Sequence, residues 1–551
     1  MINKCSQCSS SFEITDEDLK FYKKIGVSAP TLCPDDRSRR RMQFRNFRTL
    51  YRTTSSLSGK SMISMYPPQT PLTVYSIDEW WNDNWDALKF GRDMDFNRPF
   101  FEQFDALFKQ VPKLPLKQIQ CEKCEYSNFS FSSKNCYLVF GCVENENCLY
   151  GHIVWRSEDC VDGLYNYECR FCYDCIDCVG CYQAYFSTEC INCTDIWFSH
   201  DCLGCQNCFG CTGLRRKEWC WENEYLGKEK YVAKLKETLP LTYNRVNKEK
   251  EKLAHKKDKS VIFPAFFGYA NEDVSGNHIY FSKNTYCSFD AKRCEDCKFL
   301  FTAQTFTDCY DCNFTPGGCE LAFESMAVGN SQRLVCCREI QDSSDLFYCF
   351  ECMACQNCFG CDGLKHKQYC ILNKQYSKEE YEKFVARIIK HMVSTGEWGE
   401  FFHHSISPFA YNETVANEYY PLTREEALKK GFRWSDYESP KAKAEKSISA
   451  PEVPANINDV SDDILNTAIE CEVSGRPFKI VPQELMFYRK NQLPLPKRHP
   501  DQRHFDRMAL RTPRKLWPRL CAKCNKSIQT TFAPEKPEKV YCEACYLKEV
   551  Y

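Results

Sequence analysis

The residues best suited to chemistry are cysteines, and their spacing is that of metal ligands. Cys521-x2-Cys524 followed by Cys542-x2-Cys545 gives two knuckles that can present four thiolates to one tetrahedral Zn²⁺, which keeps no open position in a structural site. Near the N-terminus, Cys5-x2-Cys8 and Cys33-x2-Asp36 repeat the arrangement with an aspartate as fourth ligand, a less common oxygen donor. A fold this small has little core, so metal binding would supply much of its folding energy. Zinc is the cofactor expected at both sites.

The two sites belong to a duplication. Residues 5–79 align with 471–545 without a gap, pairing Phe12 with Phe478, Tyr22 with Tyr488, Pro34 with Pro500 and Tyr75 with Tyr541. Each copy has places for two four-ligand sites. Ser55, Ser58, Ser76 and Glu79 stand where the last site has its four cysteines, and Cys471, Ser474, His499 and Gln502 stand where the first has its ligands. Neither degenerate site is expected to hold zinc, and His499 reads as a surface residue. Persistence of the module without half its sites favours a structural role for the metal.

Between the ends the chain carries most of its 40 Cys. Every cysteine from Cys121 to Cys220 falls in one frame of three. Neither a helix nor a strand keeps a strict triplet over such a length. A coil whose length is a multiple of three would do so, and ladders of 12 (Cys124, Cys136, Cys148, Cys160) and of 21 (Cys148, Cys169, Cys190, Cys211) both fit. The expected form is a short-coil β-solenoid with 12 preferred, YLVF, HIVW and IWF supplying strands. CQNCFGCTGL at 205–214 recurs as CQNCFGCDGL at 355–364, so a second block follows, with a frame change near Cys336-Cys337. The cysteines are read first as small buried hydrophobes. Zinc between neighbouring CxxC pairs, or iron–sulfur ligation by Cys169, Cys172, Cys175, Cys178 and Cys181, stays open.

One stretch suggests a surface for a partner. RSRRRMQFRNFRTLYR at 37–52 reads as a helix with Arg41, Arg45, Arg48 and Arg52 on one face and Phe44, Phe47 and Tyr51 on another. Arg37, Arg41, Arg45 and Arg48 have counterparts in Arg503, Arg507, Arg511 and Arg514. Arginine beside aromatics suits phosphate contact and base stacking, so these eight are the candidate nucleic-acid-binding residues. The competing reading pairs them with acidic residues of a neighbouring domain. Lys+Arg (73) and Asp+Glu (74) almost cancel, which excludes nucleic-acid binding through bulk charge.

Other classes are disfavoured. No P-loop, GxGxxG, GxSxG or HExxH occurs, and His is scarce at 10 of 551 residues, so no catalytic residue and no small-molecule substrate are inferred. Aromatic content of 15% is too high for a mostly disordered chain. The apolar runs are too short for a membrane helix. MINKCSQCSSSFEITDEDLK has no signal-peptide core, so a cytoplasmic location without a membrane partner is expected. In that reducing compartment, cysteine abundance points to metal sites and packed thiols over disulfides.

The expected fold class is mostly β with connecting helices, duplicated zinc-ribbon modules flanking two Cys-rich β-solenoid-like blocks. Residues 1–83 form the first paired module, 84–120 a helical connector (a helix following Arg98-Pro99), 121–225 the first block and 226–261 a second connector broken at Pro240. Residues 262–376 form the second block, 377–396 a capping helix opened by Ser377 with Glu380, 397–466 an irregular segment whose part 438–462 is a flexible linker, and 467–551 the second module. FEITDEDLKFYKKIGVSAPTLCPDDRSRRR resembles a small bacterial zinc-binding ribbon whose pattern ends CPxCR, with Asp36 departing from it. With KNCYLVF and CQNCFGC between such ribbons, the whole chain resembles long Cys-rich multi-ribbon proteins of candidate-phyla bacteria. That resemblance implies zinc binding and this architecture, and no reaction. The function expected is a zinc-binding, non-enzymatic interaction scaffold with a protein or nucleic-acid partner; a nucleic-acid-binding protein and a thiol redox or metal-storage protein are the alternatives.

Overall fold

The computed structural model describes residues 1–315, 317–440 and 444–551. The chain is mixed, with 26% helix and 30% strand, which corrects the expectation of a mostly β fold. No helix among the described residues is long and apolar enough to cross a membrane.

The cysteine triplets resolve into one backbone rule. In the first block each residue that bridges to a neighbour does so in parallel with the residue twelve further on, as in Glu122↔Lys134, Phe140↔His152 and His152↔Leu164, and Gln206↔Glu218. Twelve, and not 21, is the repeat. Each triplet has a bridging residue, then a residue in the left-handed region (Lys123 φ 52°, Tyr126 φ 50°, Asn135 φ 51°), then an inward-facing one. Twelve residues thus hold four such triplets, and the inward positions are Cys, Ser, Gly, Ala, Val or Asn for the most part.

The second block starts at a spacing of eleven, as in Glu272↔Lys283, and follows the same rule from Gly276↔Ser288 on, with Lys283↔Glu295 and Gln356↔Gln368. Its frame shift is not at Cys336-Cys337. The register lengthens by one at Phe306↔Cys319, so the extra residue falls between Thr315 and Cys319. Cys287 and Cys336 are the cysteines that break frame because they occupy left-handed positions (φ 49° and 54°). Each block ends in an antiparallel turn-back, Trp221↔Glu224 and Ile371↔Lys374, covered by a helix. Those helices are Lys228–Thr238, which buries Tyr231, and Lys378–Thr395, which Ser377 and Glu380 open with a capping box. Covering a last strand in this way removes an open sheet edge.

The end modules are two copies of one plan. Hairpin Tyr51–Thr54/Ser61–Ser64 recurs as Trp517–Leu520/Ser527–Thr530, and helix Pro34–Met42 recurs as Pro500–Ala509. The helix expected over 37–52 stops at Met42. Asn46 takes over the next turn, its side chain accepting from Thr49 N at 3.0 Å and donating to Met65 O at 3.0 Å, the local competition that ends helices. The linker expectation is also corrected in part. Residues 441–443 lie outside the described residues, but Lys446–Ile448 pairs in parallel with Thr467–Glu470, and Val453 and Ile457 are buried.

Candidate metal centres

All four ligand places of the duplicated modules are built alike: two residues in the turn of a hairpin, one at a helix N-cap, one in the first turn of that helix. Cys33, Ser76, His499 and Cys542 are the four caps. Such a cap brings a ligand to the positive end of a helix, where a thiolate is favoured.

Two of the four places gather metal donors. One donor atom from each of Cys521, Cys524, Cys542 and Cys545 lies within 4.8 Å of the others, and the same holds for Cys5, Cys8, Cys33 and Asp36. Cys524 Sγ and Cys542 Sγ are 3.7 Å apart, as are Cys8 Sγ and Cys33 Sγ. Against the cost of burial, the N–H groups of Cys542, Cys524 and Lys523 hold the Cys521 thiol down to about 6; the Cys542 N–H donates to its Sγ at 3.3 Å. In the first cluster Arg39 holds Asp36 Oδ1, while Cys5 Sγ donates to Oδ2 at 3.1 Å. Oδ2 is the oxygen that faces the thiols, and the arginine on Oδ1 orients it as outer partners of metal ligands do.

The other two places are closed by hydrogen bonds. Ser55 Oγ donates to Glu79, which also accepts from Ser76 N at 2.9 Å. Against the cost of burial, hydrogen bonds from Ser55, Ser58 and Ser76 together hold Glu79 down to about 2. In the second module His499 is not a surface residue. Its ring is mostly buried and caps its helix, Nδ1 accepting from Asp501 N at 3.1 Å.

The eight arginines do not form a nucleic-acid surface. Arg37, Arg41, Arg45, Arg503 and Arg507 are buried, and Arg48, Arg511 and Arg514 expose 10% of their side chains or less. Six of them, all but Arg45 and Arg48, meet carboxylates on the left-handed positions of the two blocks. Arg37 meets Asp311 at 2.9 Å and Arg41 meets Glu324 at 2.5 Å. Arg507 bridges Asp162 at 2.9 Å and Asp174 at 3.2 Å, and Arg511 bridges Asp177 at 2.8 Å and Asp290 at 2.5 Å. Asp290 is shared with Arg514 at 2.7 Å. Asp162 and Asp174 are one repeat apart and so stack at about 4.8 Å, close to the ~5–6 Å between i and i+4 on a helix. A stacked carboxylate ladder thus meets the arginine spacing that had suggested phosphates. Arg48 pairs with Asp501 at 2.8 Å. Of the eight, only Arg45 lacks a carboxylate partner among the described residues, and it lies 3.8 Å from the Phe129 ring centroid; burial lowers its pKa to about 9.

The block cysteines are free and mostly buried, and most reach carbonyls two residues back and nine on. Cys148 Sγ donates to Glu146 O and Ser157 O, both at 3.4 Å, and Cys175 Sγ to Tyr173 O at 3.5 Å and Ala184 O at 3.2 Å. Among the described residues, none of them joins a group of three donors close enough for one ion. Two such groups that spacing did not foretell do exist, His152–Glu418–His504 and Asp177–Glu189–His278. Their members are far apart in sequence, and only the scarcity of histidine hinted that a buried one would be notable.

No family model matches the chain. No curated protein matches it either. Among solved structures, a provisionally assigned acetyltransferase from Desulfovibrio desulfuricans shares 12% identity over 50% of this chain and 70% of its own, with a TM-score of 0.09, a likeness too slight to carry an argument.

Proposed function

We propose that the chain is a zinc-binding, non-enzymatic repeat protein in which paired zinc-ribbon modules clasp two short-coil β-solenoids, the whole serving as a macromolecular interaction scaffold. The observation that carries the metal reading is the Cys521, Cys524, Cys542, Cys545 cluster. Zn–S bonds of about 2.3 Å at a tetrahedral angle put sulfurs about 3.8 Å apart, against the 3.7 Å between Cys524 and Cys542. The twelve-residue parallel register supports the solenoid reading.

The scaffold reading rests on a groove of about 700 Å³ between the first block and the helix Pro482–Lys490, lined by Tyr137, Leu149, Val161, Phe487 and the exposed Met486. A nucleic-acid role would need exposed cations, which the eight arginines, buried or nearly so, do not supply. A thiol redox role would need an exposed, activated cysteine, whereas most block thiols are buried against carbonyls.

Elemental analysis tests the metal. Zinc should be bound at both cysteine-rich clusters, and Cys521→Ser/Cys524→Ser should lose one equivalent; unchanged zinc in that variant would refute the assignment. A photocrosslinker at Met486 tests the scaffold, which requires discrete adducts competed away by unlabelled protein; no such adducts would refute it.

A further inference from the structure

Three side chains from distant parts of the chain meet with nothing to bond to. His152 belongs to the first block, Glu418 to the short helix Val415–Tyr419, and His504 to the helix Pro500–Ala509. Both imidazoles are fully buried, and Glu418 exposes 11% of its side chain. His152 Nε2 lies 3.7 Å from Glu418 Oε2, and His504 Nε2 lies 3.7 Å from Glu418 Oε1. The ring centroids are 4.6 Å apart. These separations are too long for hydrogen bonds. Both nitrogens of each histidine and Glu418 Oε2 have no hydrogen-bond partner among the described residues. Buried polar groups almost always find one, and one donor atom from each of the three side chains lies within 4.8 Å of the other two, which places a missing partner between them.

We infer that His152, Glu418 and His504 form a third metal centre, a two-histidine, one-carboxylate site for a divalent transition-metal ion. Bonds of about 2.0–2.2 Å to one ion place such donors about 2.9–3.4 Å apart, so small rotations close the observed gaps. The nitrogen and oxygen donor set suits Zn²⁺ or Fe²⁺ and disfavours soft monovalent ions. Burial, and after it the field of Arg48, holds both imidazoles well below their usual pKa, which keeps their lone pairs available. Burial, against the opposing charges of Arg48 and Arg514, pushes Glu418 up to about 7, and a bound cation would restore its charge. The nearby arginines leave a positive field at the imidazoles, which carboxylates offset in part and the ion must overcome. Arg48 is matched by Asp501, Arg507 by Asp162, and Arg511 and Arg514 by Asp290; Arg45 is the unmatched one. The ion would fasten the first block, the Val415–Tyr419 helix and the C-terminal module to one another.

The test is Co²⁺ titrated into the metal-free full-length chain under reducing conditions. The two cysteine-rich clusters bind with intense sulfur-to-cobalt charge-transfer absorption, and a further equivalent binds with weak ligand-field bands alone. His504→Gln and the near-isosteric Glu418→Gln each lose that further equivalent and keep the thiolate absorption. Cys521→Ser/Cys524→Ser keeps that further equivalent and loses one thiolate-bound ion with its share of the charge-transfer absorption, so failure of the cysteine sites is told apart from failure of this one. A wild-type titration that ends with the thiolate-bound ions overturns the inference whatever the variants do, as does a sulfur-free equivalent that survives in both His504→Gln and Glu418→Gln.

Discussion

At the scale of single residues, the arginines decide how the molecule holds together. Arg41 is completely buried between Asp311 and Glu324. Removing one partner of such a pair leaves an unmatched buried charge, at a cost of about 3–5 kcal/mol. Arg41→Ala should therefore lower the denaturation free energy by that amount, whereas Arg98→Ala, which breaks an exposed pair with Glu102, should change it by less than about 1 kcal/mol; equal effects would refute the distinction. Acid should act through the same carboxylates. Against burial, Lys250 and Arg507 hold Asp174 down to about 2, and Arg48 does the same for Asp501. A folded pKa below the unfolded value of about 3.9 gives stability that is present above pH ~4 and lost as pH falls toward 2. A stability profile flat from pH 5 to 2 would contradict this. The arginine types and their pairing between modules were legible in the sequence, but their direction was not, because their partners lie in blocks hundreds of residues away.

At the scale of elements, the strict triplet was legible because one inward position recurs in each of the four triplets of a twelve-residue repeat. The repeat length was not, since 12 and 21 are both multiples of three and both stack cysteine on cysteine. The left-handed residue in each triplet was hidden for a different reason. Many such positions hold residues such as Glu144, Phe171 and Ile153 (φ 53°, 54° and 52°), types that ordinarily avoid that region. Two substitutions in one layer separate conformation from packing. Glu144 is exposed, so Glu144→Gly should stabilise by about 0.5–1 kcal/mol by removing a Cβ from a left-handed position. Gly141 has φ 65°, and a Cβ there would meet Ile153 Cδ1 at 2.5 Å, so Gly141→Ala should destabilise by about 1–3 kcal/mol. Thermal melts of the two variants should move in opposite directions; shifts of the same sign would show that the left-handed corner does not govern the layer.

At the scale of the whole molecule, the end modules are clamps built into the blocks. The first module's Arg37 and Arg41 bind the second block, and the second module's Arg503 and Arg507 bind the first. Strand Ile262–Pro264 also pairs with Lys539–Tyr541, joining the start of the second block to the C-terminal cluster. Metal removal should therefore lower the melting temperature of the entire chain in one transition; calorimetry that resolved early-melting modules from unaffected blocks would contradict the coupling. The central claim is a division of labour among cysteines, with metal donors at the two ends and core packing in between. Its most direct test is a count of metal ions and of alkylated thiols by mass spectrometry on the intact chain purified without oxygen. The account predicts thiolate-bound metal only at Cys521, Cys524, Cys542, Cys545 and at Cys5, Cys8, Cys33, Asp36, with the buried block thiols protected while folded and all labelled on unfolding, metal or no metal. Many further ions per chain, held by block cysteines that stay protected until a chelator is added, would contradict it.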